Sequence, residues 1–201
     1  MGNDEQKAVA ILNQNRSLQK PIIEQFNGRW IKELGDGVMA SFNTASDAVN
    51  AAIKIQEACN AANNFRLKIG IHMGEVVFEN DDVYGDGVNI ASRIETLGVG
   101  SSILMSKSIR DQVKNNAGLQ ISSLGLFEFK NVGEPVEVFA LSNPGFMVPK
   151  RDAMQGKLKK IKGNNTKRIS IIAAAIIVVM LTLFLTKNFF YKNALSTTRH
   201  Y

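Results

Sequence analysis

The sequence predicts a mixed domain, α/β or α+β, built on a single sheet and followed by one apolar helix. Three observations predict it. Helical and strand periodicities alternate along the first 142 residues. Two Gly-Asp-Gly turns, at 35–37 and 85–87, punctuate them. A final run, Ile169 to Thr186, has 18 residues with no charge, Gly or Pro.

The elements follow in order. Apolar positions at Val9, Ile11, Leu12, Leu18, Ile22 and Ile23 give helical spacing over Asp4 to Phe26, and Asn27-Gly28 stops it. Residues 29–42 read as a hairpin with Asp36 at its tip. Ser46 to Asn63 is Ala-rich, with Val49, Ala52, Ile53 and Gln56 along one side of a second helix. Leu67, Ile69 and Ile71 alternate in a strand over Arg66 to His72, and a short strand over Glu75 to Glu79 follows the Gly74 turn. A third helix covers Val88 to Leu97, a strand Ile103 to Ser106, and a short helix Ser108 to Asn115. Three strands finish the domain: Leu119 to Ser123, Leu126 to Lys130 and Val136 to Leu141. Residues 143–168, with Pro144, Pro149, Gly156 and Gly163 among basic residues, suit a linker.

Charge separates these parts. The net charge is +6. Residues 150–168 hold +7 and residues 187–201 hold +3, which leaves −4 for residues 1–149. The globular part is mildly acidic, so the basic total gives no argument for nucleic-acid binding. It marks two flanks of an apolar run. As a helix that run spans roughly 27 Å, enough for a bilayer core. Phe189, Phe190 and Tyr191 then suit an interfacial anchor. The heavier basic flank is N-terminal, which predicts one transmembrane pass in the cell membrane, residues 1–168 cytoplasmic and 187–201 a short external tail. Gln6 stands where a myristoylation signal needs Ser or Thr. Cys59 is the one cysteine, which excludes an intramolecular disulfide and a cysteine-cluster metal site.

The chemistry-bearing residues sit around the two turns. Asn89 and Arg93 are four apart and project from one helix face, where an amide and a guanidinium can hold a ribose and a developing phosphate charge. Asp36, exposed at a hairpin tip, suits Mg²⁺ or Mn²⁺ bridging phosphates. Lys32 precedes it by four residues. Asp82 can accept from an exocyclic amine, and taken alone it reads as a loop acid beside Asp81. Each has an ordinary structural explanation alone: Asp-Gly is a favoured turn pair, Lys32 and Lys130 are strand lysines, and Asn89 and Arg93 make a polar helix face. Asp86 reads best as the N-cap of the third helix, and His72 as a packed strand residue.

Five segments give the whole its direction: Lys-Glu-Leu-Gly-Asp-Gly (32–37), Asp-Ala-Val-x-Ala-Ala-Ile-x-Ile-Gln (47–56), Lys-Ile-Gly-Ile-His-Met-Gly-Glu-Val-Val (68–77), Val-Tyr-Gly-Asp-Gly-Val-Asn-Ile-Ala-Ser-Arg (83–93) and Phe-Lys-Asn-Val-Gly-Glu-Pro-Val-Glu-Val-Phe (129–139). In this order they resemble the catalytic domain of class III adenylyl/guanylyl cyclases, over residues 1–142. The resemblance implies an α+β, ferredoxin-like sandwich. It implies that Asp36 is one of two metal aspartates, that Lys32 and Asp82 select the purine, that Asn89 orients the ribose and Arg93 steadies the transition state. Lys130 is placed to reach the triphosphate. Lysine with an acid favours adenine, so the implied substrate is ATP and the product cyclic AMP. The implied site forms between two subunits, as a homodimer or beside an intact cyclase.

One departure matters. The family's other metal aspartate lies on an opening Phe-x-Asp strand, and no residue here matches it by position. The expectation is therefore a cyclase sandwich lacking its first strand, N-terminally incomplete and inactive by itself. The rival expectation is a non-catalytic, cyclase-like dimerisation or regulatory module at the membrane; a plain tail-anchored scaffold leaves the polar residues unexplained.

Overall fold

A computed structural model describes residues 2–63, 66–79 and 82–154, all within one compact unit. The apolar run 169–186 and its flanks lie outside the described residues. Among the described residues no helix is long and apolar enough to cross a membrane.

The chain opens with helix α1 (Gly2–Gln25), which stops at Asn27 in the left-handed region. Strands β1 (Arg29–Leu34) and β2 (Gly37–Ser41) form the expected hairpin, closed by Gly35-Asp36. Gly35 has φ 66°, the conformation a two-residue hairpin turn demands at its first central position. Helix α2 (Ala45–Ala62) starts at Thr44, whose hydroxyl accepts from the Asp47 N–H at 3.0 Å. It buries a stripe of Ala45, Val49, Ala52, Gln56 and Cys59, and ends at Asn63 with φ 52°.

Strand β3 (Lys68–Ile71) is followed by the two short strands β4 (Val77–Glu79) and β5 (Asp82–Tyr84), then by helix α3 (Asp86–Leu97). Strand β6 (Ser102–Ser106), helix α4 (Lys107–Val113) and strands β7 (Ile121–Phe127) and β8 (Val136–Leu141) complete the fold, with a 3-10 turn at Arg151–Met154.

The main sheet has the order β3-β6-β8-β7, parallel between β3 and β6 and antiparallel elsewhere. Its side chains alternate cleanly. Ile71, Ile103, Met105, Phe139 and Leu141 pack with Val49 and Ala52 of α2 and Ile109 and Val113 of α4. Leu104, Val138 and Ala140 face the other way, onto Ile94 and Leu97 of α3 and onto Phe127, Phe129 and Met154. A third cluster joins Ile23 of α1 and Ile55 and Cys59 of α2 to the hairpin's Trp30, Val38 and Phe42 and to Leu67 and Ile69. Burial pushes the Cys59 thiol up to about 11, which suits a packed, inert side chain.

Three expectations are corrected. The single sheet is divided among the described residues into the four-stranded sheet and two ribbons, β1-β2 and β4-β5, because the hairpin packs beside β3 through side chains without joining its ladder. The strands expected at 119–123 and 126–130 are one strand, β7. Gly125, with φ 95°, lets it pass through a register shift between Ser123 and Gly125 instead of turning. Asp82, expected in a loop, lies on a strand.

Candidate active site

Lys32 and Asp82 come together from different ribbons. β1 carries Lys32 outward just after a register shift between Trp30 and Lys32. β5 carries Asp82 beside it, and the Lys32 Nζ stands 2.5 Å from the Asp82 Oδ1. The Val83 N–H donates to the same oxygen at 2.7 Å. The Lys32 ammonium, and then this backbone N–H, hold the Asp82 carboxyl below its usual range. Tyr84 lies on the same face of β5, with the Lys32 Nζ 5.7 Å from its ring centroid. Asp82 in turn raises the Tyr84 phenol. The two ribbons meet a second time where the Arg29 guanidinium lies 5.4 Å over the Phe78 ring.

Asp36 sits at the exposed hairpin tip, as its turn requires. Helix α1 holds that tip. Asn15 donates to the Asp36 backbone oxygen at 3.2 Å, and Gln19 donates to the Asn15 side-chain oxygen. Both are buried although they lie on an otherwise polar helix. Arg16 grips Glu33 through two hydrogen bonds of 2.6 Å, which keeps the Glu33 carboxyl below its usual range. Glu33 is thus committed to Arg16, leaving Asp36 as the turn's available carboxylate.

A divalent ion fits this donor set in one way. Among the described residues no three His, Cys, Asp or Glu side chains cluster to form a protein cage. One exposed carboxylate beside a phosphate-bearing substrate suits a single Mg²⁺ or Mn²⁺ completed by phosphate oxygens and water. A second ion finds no ligand set among the described residues.

Asn89 and Arg93 lie one turn apart on α3. Asn89 is exposed and Arg93 half-buried, its Nε buried without a hydrogen-bond partner. Ala91 and Glu95, on another side of the helix, meet β3 at Gly70, where a Cβ would fall 2.4 Å from the Glu95 nitrogen. Among the described residues no hydrogen bond or ion pair links Asn89 or Arg93 to Lys32, Asp36 or Asp82. One chain therefore presents two groups that no hydrogen bond or ion pair joins among the described residues: Lys32, Asp82 and Asp36 on the ribbons, and an amide-guanidinium pair on α3. Lys130 is exposed between β7 and β8, next to Asn131 at φ 63°. Asp86 is corrected from N-cap to first helical residue. Gly85, with φ 133°, occupies the cap position, and no side chain bonds there. As the first-turn acid, Asp86 still opposes the positive helix end.

His72 bonds through Nδ1 to the buried Ser106 hydroxyl at 2.9 Å, and Ser106 contacts Ser108 at 2.8 Å. Burial pulls its pKa down. It packs at the end of β3, as expected. A cavity of about 220 Å³ lined by Cys59, Asn60, Arg66 and Ser101 contains none of the expected site residues, so cavity size does not locate the chemistry. Sequence reasoning missed Tyr84, Asn15 and Arg16. Strand β5, with three residues, is too short for its alternation to mark Tyr84.

The fold and this set of residues define a nucleotide-cyclase domain. Residues 3–143 match the family of the adenylate and guanylate cyclase catalytic domain, and the chain belongs to that family. A Rhizobium meliloti (strain 1021) protein provisionally named adenylate cyclase 3 is 31% identical over 150 residues, covering 71% of this chain and 26% of that protein. A pH-sensitive adenylate cyclase of Mycobacterium tuberculosis (strain CDC 1551 / Oshkosh) is 28% identical over 114 residues, 55% of this chain and 29% of that one. The chain thus spans little more than a quarter of the length of these two relatives. Among solved structures, the adenylate/guanylate cyclase/hydrolase of Silicibacter pomeroyi superposes with a TM-score of 0.63 at 30% identity, over 68% of this chain and 86% of that one. Adenylate cyclases of Trypanosoma brucei share the fold, one with a TM-score of 0.62 at 15% identity over 75% of this chain and 85% of its own.

Proposed function

We propose that this chain is an adenylyl-type cyclase domain, contributing to the conversion of ATP into cyclic AMP and pyrophosphate as a dimer of two copies. The Lys32–Asp82 pair carries the reading. Adenine offers an acceptor at its ring nitrogen and a donor at its 6-amino group, and an ammonium beside a carboxylate complements both. Guanine offers the reverse, and a site built for one pattern rejects the other.

The chain's own residues divide the work. Lys32 and Asp82 orient the base. Asn89 orients the ribose so that its 3′-oxygen faces the α-phosphate. Arg93 stabilises the charge that develops there. Asp36 would hold a divalent metal ion, which would supply neutralisation of phosphate charge. Lys130 is a further triphosphate contact. No hydrogen bond or ion pair joins the two groups within one chain among the described residues, and in this reading a second copy supplies the complementary half. The apolar surface around β4 supports such a contact: Val77 is 66% exposed, Phe78 48% and Met73 46%.

A second reading, a non-catalytic dimerising module that keeps the purine pocket, rests on Asp36 belonging to no cluster of three metal-ligating side chains among the described residues. One experiment separates the two. Purified chain is given Mn²⁺ and either ATP or GTP, and both binding and cyclic nucleotide formation are followed. Binding about tenfold tighter for ATP is expected. Equal binding of GTP overturns the purine assignment. ATP binding without cyclic AMP selects the module.

The uncharged run 169–186 with its basic flanks supports a single-pass anchor with the cyclase domain on the cytoplasmic side. Under alkaline carbonate washing the chain should stay with the membrane, and its release would refute the anchor.

A further inference from the structure

We infer that Tyr84 is a positioning residue for the purine-reading pair: its ring seats the Lys32 ammonium and its phenol steadies the Asp82 carboxylate. The inference rests on the adenine reading above and deepens it. Three observations carry it. Asp82 and Tyr84 occupy alternate positions of one three-residue strand, so their side chains leave it on the same face. Lys32 reaches both from β1, 2.5 Å from the Asp82 Oδ1 and 5.7 Å from the Tyr84 ring centroid, within the range where a ring face attracts an ammonium. The Asp82 Oδ1 already takes two donors, Lys32 and the Val83 N–H, so the carboxylate is anchored where the ring and Lys32 meet.

An unsupported ion pair would satisfy itself. Lys32 has three donors and a flexible stem, and nothing else in the pair stops it from wrapping over both carboxylate oxygens. The ring under the ammonium gives Lys32 a second attraction and limits that collapse. In this inference the phenol, on the same face of the strand as the carboxylate, favours the ionised, acceptor-only Asp82 that rejects the guanine 6-oxo group. Asp82 raises the phenol, while the carboxyl is held down first by Lys32 and the Val83 N–H and only to a smaller extent by Tyr84. Tyr84 is 53% exposed, so its retention of an aromatic ring there is not explained by core packing.

The test uses the full 201-residue chain in detergent. Tyr84→Phe removes the hydroxyl and keeps the ring, while Tyr84→Leu removes both. Affinities for ATP and GTP with Mn²⁺ are read by displacement of a fluorescent nucleotide, beside thermal melting of each variant. The expected result is that Tyr84→Phe narrows the ATP-over-GTP ratio by about threefold or more and Tyr84→Leu narrows it further, with melting unchanged. In a second measurement without nucleotide, the Tyr84 phenol is titrated by NMR. It should titrate above the ordinary value of about 10 in the parent chain and fall back in Asp82→Asn. An unchanged ratio in both variants, or a titration that ignores Asp82→Asn, overturns the inference while leaving the adenine reading intact. Absence of any ATP preference in the parent chain defeats the adenine reading, and this inference with it.

Discussion

The four-stranded sheet and the two ribbons are built from the same kinds of residue but hold opposite positions in the fold. Ile103, Leu104 and Met105 of β6 are fully buried, as are Val138, Ala140 and Leu141 of β8, and helices cover both faces. The ribbons have one packed side. Leu34 is 52% exposed and Val77 66%. Yet Lys32, Asp36 and Asp82 all stand on the ribbons or their turns, and only the α3 pair is mounted on the sheet. Buried apolar side chains are concentrated in one region and the candidate site residues in the other. The candidate residues on the ribbons are held by a few polar ties, such as Asn15 to Asp36 and Lys32 to Asp82.

The largest effect that tests this contrast lies in the sheet. Leu104→Ala removes a fully buried side chain from between α3 and β8, and should cost about 2–5 kcal/mol. Val77→Ser on the exposed ribbon should leave the thermal midpoint close to that of the parent. Comparable losses in the two variants, followed by circular dichroism, would break the division of labour.

A smaller effect sharpens it. His72 is held by burial below its ordinary value near 6.5, so the unfolded chain takes up its proton more readily than the folded one. Its contribution is fully present above about pH 6.5 and is lost as pH falls toward the lower folded value. Urea denaturation at pH 7.5 and 5.5 should show a loss in acid that His72→Gln reduces. An acid response identical in that variant would mean that other groups govern it.

Much of this contrast was legible in the sequence. The helices announced themselves by apolar spacing, and the hairpin by Gly35-Asp36. What was hidden depended on partners. Asn15 and Gln19 look like ordinary polar positions on α1, and only the hairpin folded against them makes them buried ties. Strand β5 has three residues, too few for alternation to register. Gly125 reads as a turn, because the sequence cannot say that β8 runs alongside to carry the strand through a bulge. The site residues were found through resemblance in spacing. Tyr84 was passed over because an aromatic beside a turn carries no sign of its neighbours until Lys32 arrives from 52 residues away.

Gly70 decides how far the chain can reach. Its Cα passes under α3 so closely that a Cβ would fall 2.6 Å from the Ala91 carbonyl and 2.4 Å from the Glu95 nitrogen. To restore ordinary contact the helix would have to lift by roughly 1 Å. Asn89 and Arg93 ride on that helix. A single hydrogen in place of a methyl thus sets the height at which the pair stands above the sheet.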